Sequence, residues 1–292
     1  MINLPDTLIR ATVPGVRAFA AVTTDLVEEA RKRHDCYPVA AAALGRTMTA
    51  ALLLAANLKT NESLTIRIVG DGPLGETIAD ADSIGQVRGY VKNPAVDLPL
   101  KGIKLDVGKA VGNGHIYVTR FTGLKQPFTG SAPLISGEIA EDVTNYLLVS
   151  EQTPSSVGLG VLVQPDLSVQ AAGGFMIQAL PDAEDNVLEI IEKNLSMLPP
   201  VSQLVSEGKG SRGIIETLFN GLPITFYESM PLSFHCPCSH ERVSNVLISL
   251  GADELSEMIQ EGKAEVCCHF CAEKYNFSKT DLEMLRKAIT EK

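Results

Sequence analysis

An excess of basic charge is missing from this sequence: 25 Lys and Arg stand against 35 Asp and Glu, a formal net charge of −10. A protein that tracks a phosphate backbone carries the opposite balance, so general nucleic-acid binding is disfavoured from the start. Also missing is any run of 18 apolar residues, which argues against a membrane span. The nearest approach, Val39 to Leu58, is mostly Ala and carries Arg46 and Asn57, the pattern of a buried helix. The opening MINLPDTLIR places Pro5 and Asp6 where a secretory leader needs an apolar centre. The expectation is therefore a cytoplasmic protein. Internal repeats and low-complexity tracts are absent as well. What is present is ordinary globular composition, 45% hydrophobic and 21% charged, over 292 residues, a length that suits two domains.

Residues 1–180 read as one α/β (α+β) domain. Ser63 to Val69 and Gln86 to Val91 alternate as strands do, and Gly114 to Arg120 follows an Asn113-Gly114 turn signal that favours a hairpin. Gly158 to Val163 and Gly174 to Ala179 read as buried strands. Leu26 to His34, Val39 to Leu58 and Ser136 to Val149 carry helical spacing. Residues 181–231 read as a helical linker in which Val187, Ile190, Ile191, Leu195 and Leu198 share one face. Such a stripe must bury itself on something, and the first domain is the available surface. Residues 232–292 contain three short helices: Glu241 to Leu250, one capped by Asp253, and one opened by a Ser278–Asp281 capping box. About 60 residues of this kind enclose too little core to stand alone, so the segment needs a staple.

The staple is visible in the cysteines. Five of the six lie between Cys236 and Cys271, and only Cys36 stands apart. In a reducing compartment such clustering points to metal or redox chemistry before structural disulfides. Cys236-Pro-Cys238 and Cys268-His-Phe-Cys271 are two thiolate pairs from separate segments, able to enclose a tetrahedral Zn2+. Cys268 is preferred over its neighbour Cys267 because Cys-x-x-Cys has knuckle spacing, although ligand identity stays less secure than the site. His235, His240 and His269 flank the cysteines and read as supporting or solvated groups, one of which could substitute if a thiol is oxidised.

Other signals dissolve on inspection. Gly70-Asp-Gly72-Pro-Leu-Gly75 matches a dinucleotide-binding fingerprint, but the fingerprint needs a helix next, and Glu76 to Asp82 is a poor one. The loop reads as a turn between strands, with Asp80 and Asp82 as solvated turn residues. A thiol oxidoreductase would need an exposed Cys of low pKa near a helix N-terminus. Cys36 instead follows a helix C-terminus, where the dipole disfavours thiolate. A nucleic-acid-binding zinc module is disfavoured too, because residues 232–292 hold 7 Lys and Arg against 10 Asp and Glu. No catalytic residue is assigned, and the reading is not an enzyme.

The segments FHCPCSHER and EVCCHFCAEKYNF, together with ALGRTMTAALLL, GDGPLG, VRGYVKNP, SGEIAEDVTNYLLVSEQTPSS and AAGGFMIQ, resemble the 33 kDa chaperonin family of redox-regulated bacterial heat-shock chaperones. The likeness spans nearly the whole chain; Cys267 and Cys36 lie outside the family's cysteine pattern. The resemblance implies an N-terminal α/β chaperone domain, a helical linker and a zinc-binding redox-switch domain. It implies an ATP-independent holdase of the stress response, inactive while reduced and zinc-bound. Its ligands would be Cys236, Cys238, Cys268 and Cys271, and its disulfides on oxidation Cys236–Cys238 and Cys268–Cys271. Unfolded or partially folded client proteins would be the partners of an activated homodimer, with neither nucleic acid nor membrane involved.

Overall fold

Two seven-residue strands, β1 (Thr7–Val13) and β2 (Val16–Val22), turn on each other through Pro14-Gly15, where Gly15 supplies a φ of 67°. They open a computed structural model that describes residues 4–124 and 126–290. α1 (Thr24–His34) is capped from a distance: the Asp6 carboxylate accepts from the backbone N–H of Asp25 at 3.2 Å and of Leu26 at 2.7 Å. α2 (Pro38–Ala55) begins with Pro in its first turn and is Ala- and Leu-rich. It is the one helix among the described residues long and apolar enough to cross a membrane, and 89% of it is buried inside the fold.

Strands β3 (Ser63–Gly70), β4 (Glu76–Asp82) and β5 (Gln86–Val91) follow as an antiparallel meander. The Gly70–Gly75 loop is thus a turn between strands, as the sequence suggests. Glu76 to Asp82, poor as a helix, is itself a strand, because Thr77, Ala79 and Ala81 alternate inward. Asp80 is therefore not a turn residue. It faces outward in the ladder between the Thr65 hydroxyl at 2.6 Å and the Arg88 guanidinium at 2.8 Å. Asp82 does close a turn, accepting from the backbone N–H groups of Ile84 and Gln86.

α3 (Val107–Val111) precedes β6 (Gly114–Phe121), so Asn113-Gly114 joins a helix to a strand, and the hairpin forms instead between β6 and β7 (Phe128–Pro133). α4 (Ala140–Val149) starts later than its periodicity suggests. The buried Asp142 carboxylate accepts from the backbone N–H groups of Ile135, Ser136, Gly137 and Ile139, which holds that stretch as a loop. β8 (Ser155–Val163) and β9 (Val169–Ala179) pair antiparallel. Helices α5 (Asp185–Ser196), α6 (Val201–Ser206) and α7 (Ser211–Leu218) come next, then the two-residue strands β10 (Thr225–Phe226), β11 (Met230–Pro231) and β12 (Ser233–Phe234).

These elements form a compact unit, residues 1–235. One sheet runs β10-β1-β2-β9-β8, with β11 also on β1; the other runs β12-β5-β4-β3-β6-β7. α2 lies between the sheets and shares one large core with both. A second core fills the opposite face of the first sheet. There Val201, Val205, Ile214, Ile215 and Leu218 of α6 and α7 pack on Ala11, Ala18, Phe175 and Ile177, and Val187 and Ile191 of α5 join them. Ile190 is 37% exposed and Leu188 takes its inward place, because α5 leans on α7 rather than lying flat on the sheet.

Residues 236–292 form the second unit. Ser239 caps α8 (His240–Leu250) by accepting from the Arg242 N–H at 3.2 Å. Gly251 separates it from α9 (Ala252–Glu261), so Asp253 lies in the first turn rather than at the cap. A hairpin of β13 (Lys263–Cys267) and β14 (Lys274–Ser278) leads into α10 (Lys279–Thr290). Ser278 and Asp281 make the expected reciprocal cap, with backbone-to-side-chain distances of 2.8 and 3.3 Å. Only Leu247, Leu255, Ile259, Phe277 and Leu282 form its buried apolar cluster among the described residues.

Candidate metal centre

The first cysteine pair precedes α8. Burial alternates along Cys236, Pro237 and Cys238, with the proline outermost, so both sulfurs share the inner side. The second pair sits in the loop of the β13–β14 hairpin. There the Cys268 N–H donates to Glu273 O at 2.9 Å, the Ala272 N–H donates to Cys268 O at 2.8 Å, and Ala272 takes a left-handed φ of 57°. This tight knuckle aims Cys268 and Cys271 at one point.

All four sulfurs lie within 4.8 Å of one another. Between the segments, Cys236 stands 3.8 Å from Cys268 and Cys238 stands 3.3 Å from Cys271. Sulfurs on a tetrahedral ion with Zn–S bonds of about 2.3 Å stand about 3.8 Å apart, a spacing that these distances bracket. Burial raises the thiol pKa of Cys271, while the Glu273 backbone N–H opposes it; burial raises that of Cys238, against hydrogen bonds from Tyr275 and Cys271. Four sulfurs crowded away from water need a cation before they can all ionise. The donor set, four sulfurs and nothing else, suits a soft or borderline metal ion.

The structure thus brings together Cys236, Cys238, Cys268 and Cys271. Cys267 is left out: strand alternation turns it to the exposed side of the hairpin, its sulfur 4.0 Å from the Cys268 carbonyl oxygen. None of the three flanking histidines joins the sulfurs. His235 and His269 are exposed, and the His240 ring stacks on Phe277 with centroids 4.5 Å apart. Cys36 is buried at 1% exposure in the core of the first unit. The sequence reading missed Tyr275, whose hydroxyl donates to the Cys238 sulfur at 3.1 Å. Its signal was the alternating KYNFS segment, legible as a strand beside the cysteines.

Residues 6–278 match the family model described as "Hsp33 protein". The chain belongs to the Hsp33 family. A relative named 33 kDa chaperonin from Desulforamulus reducens is 53% identical over 294 residues, covering 99% of this chain and 100% of that protein. The 33 kDa chaperonin of Bacillus subtilis is 50% identical over 279 residues, 94% of this chain and 95% of its own. The crystal structure of the 33 kDa chaperonin from Thermotoga maritima superposes with a TM-score of 0.92 at 38% identity, covering 98% and 99% of the two chains. The mixed α/β architecture with a C-terminal cysteine cluster is therefore that of an Hsp33 structure along nearly its whole length.

Proposed function

We propose that this Hsp33-family chain is a redox-regulated, ATP-independent holdase, inactive when reduced and zinc-bound, and activated by disulfide formation and zinc release. The observation that carries the reading is the four-sulfur cluster, held by a unit with a small core. When bound, zinc supplies a cross-link between the two segments of that unit, worth about 10–16 kcal/mol of folding free energy. Each peroxide accepts two electrons from one pair of thiols, forming one S–S bond and two waters. Disulfide sulfur is a poor ligand, and the metal leaves.

In this reading residues 1–180 are the chaperone domain, 181–231 the linker and 232–292 the switch. The disulfides are Cys236–Cys238 and Cys268–Cys271, as the family resemblance implies. Unfolding of the switch loosens α5–α7, and the sheet face beneath them (Ala11, Ala18, Phe175 and Ile177 among others) becomes available to unfolded clients. The active form is a homodimer acting in the cytoplasm. The Gly70–Gly75 loop, the one match to a nucleotide-binding fingerprint, is a strand turn, so the cycle has no use for nucleotide.

Light scattering of a heat-denatured client tests this with reduced, peroxide-oxidised and re-reduced chain, each with and without ATP. Oxidised chain should suppress scattering and the two reduced samples should not, regardless of ATP. Full protection by reduced, zinc-loaded chain, or a need for ATP, overturns the proposal.

A further inference from the structure

We infer that Tyr275 is a positioning residue of the metal centre, its phenol holding the Cys238 sulfur and setting both metal affinity and resistance to peroxide; this rests on the metal-centre reading above. Tyr275 lies on β14, opposite Val266, yet its hydroxyl reaches 3.1 Å to a sulfur 37 positions earlier in sequence. It therefore ties the knuckle segment to the other cysteine pair independently of any ion. Packing holds the ring in place. It is half-buried in the cluster around Phe277 and meets the His240 ring edge-on at 6.4 Å.

The two ends of the short Cys238–Cys271 approach are supported differently. Cys271 receives the backbone N–H of Glu273, which no side-chain change removes. Cys238 receives a side-chain donor. A hydrogen bond to a thiolate withdraws charge from sulfur, which favours the ionised ligand and lowers its nucleophilicity. It also fixes the direction of the sulfur, the usual work of groups behind metal ligands. Tyr275 thus makes Cys238 a tighter ligand and a slower target.

The test uses the full reduced chain. Tyr275→Phe keeps the ring and removes the donor. In zinc titrations against a chromophoric chelator its zinc Kd should rise about tenfold, and peroxide should release its zinc faster. In cobalt(II)-loaded chain the sulfur-to-metal charge-transfer band should move to lower energy, a signature that ring packing does not produce. In a Cys238→Ala background the same substitution should add nothing, because its partner is gone. Unchanged zinc affinity and cobalt spectrum, or an undiminished effect without Cys238, overturns the inference. Should Tyr275→Phe fail to fold, the unaltered chain loaded with 113Cd decides: coupling between the Tyr275 hydroxyl proton and cadmium supports the bond, and its absence overturns it. Wild-type chain that takes up no metal sinks the metal-centre reading as well, whereas tight wild-type binding with an unchanged variant sinks this inference alone.

Discussion

Cys36 follows the left-handed Asp35 that ends α1, and burial pushes its thiol up to about 12. Cys267 stands in water beside a cluster whose other sulfurs face inward. Reactivity follows thiolate fraction and access, so alkylation of reduced, zinc-loaded chain at pH 8 should label Cys267 first and Cys36 last, as mass spectrometry of the digests would show. Zinc content should separate the same residues. Serine at 236, 238, 268 or 271 should cut retention, and serine at 36 or 267 should not; equal loss from Cys36→Ser refutes the ligand set. Asp6 offers a pH test. Burial raises its carboxyl to about 6, against hydrogen bonds from the Leu26 and Asp25 backbone N–H groups. An acid raised above its unfolded value of 3.8 binds more protons when folded, so its contribution to stability grows as pH falls from about 6 toward 3.8. Relative to Asp6→Asn, wild type should gain at most about 3 kcal/mol over that window. Parallel melting-temperature curves for the two proteins between pH 4 and 7 would contradict this.

At the scale of elements, Gly15 is where the β1–β2 turn meets residues 182–183, just before α5. A Cβ there would stand 2.3 Å from Ala183 Cα and 2.8 Å from Asp182 O, at a φ of 67°. Gly15→Val should push residues 182–183 away at a cost of about 1–3 kcal/mol. Amides of α5 should then exchange faster in the reduced chain, and unaltered protection would show that the turn does not hold α5. How far such elements were legible depends on which forces fix them. The long Ala-rich α2 and the alternating strands β3 and β5 are written locally. The apolar stripe at 187, 191, 195 and 198 is legible, but the inward turn of Leu188 over Ile190 is set by the tilt of α5 on α7. Strand β4 is hidden because its inward residues are only Thr and Ala, and α4 is shortened by one buried aspartate. The cysteine cluster was readable because short-range spacing carries it. Tyr275 was not, because its reach to Cys238 depends on the register of a hairpin rich in charged residues.

Across the whole molecule, the two units differ in what keeps them folded. The first encloses two extensive cores, one on each face of its β1-β2-β9 sheet. The second has 57 residues and, among those described, a buried apolar cluster of five side chains. A unit of that size buries too small a fraction of its chain for comfort. A four-thiolate metal worth about 10–16 kcal/mol exceeds the roughly 5–15 kcal/mol by which whole domains are stable. Chelating the metal under reducing conditions, with no oxidant present, should therefore unfold residues 236–292 and leave residues 1–180 intact. Calorimetry should lose one transition and keep the other, and hydrogen exchange should become fast across α8, α9 and α10 while the amides of α2 stay protected. Restoring zinc should restore both, since no covalent bond has changed. A second unit that keeps its amide protection without metal would mean that its small core suffices, and the proposed route from metal loss through unfolding to activation would fall.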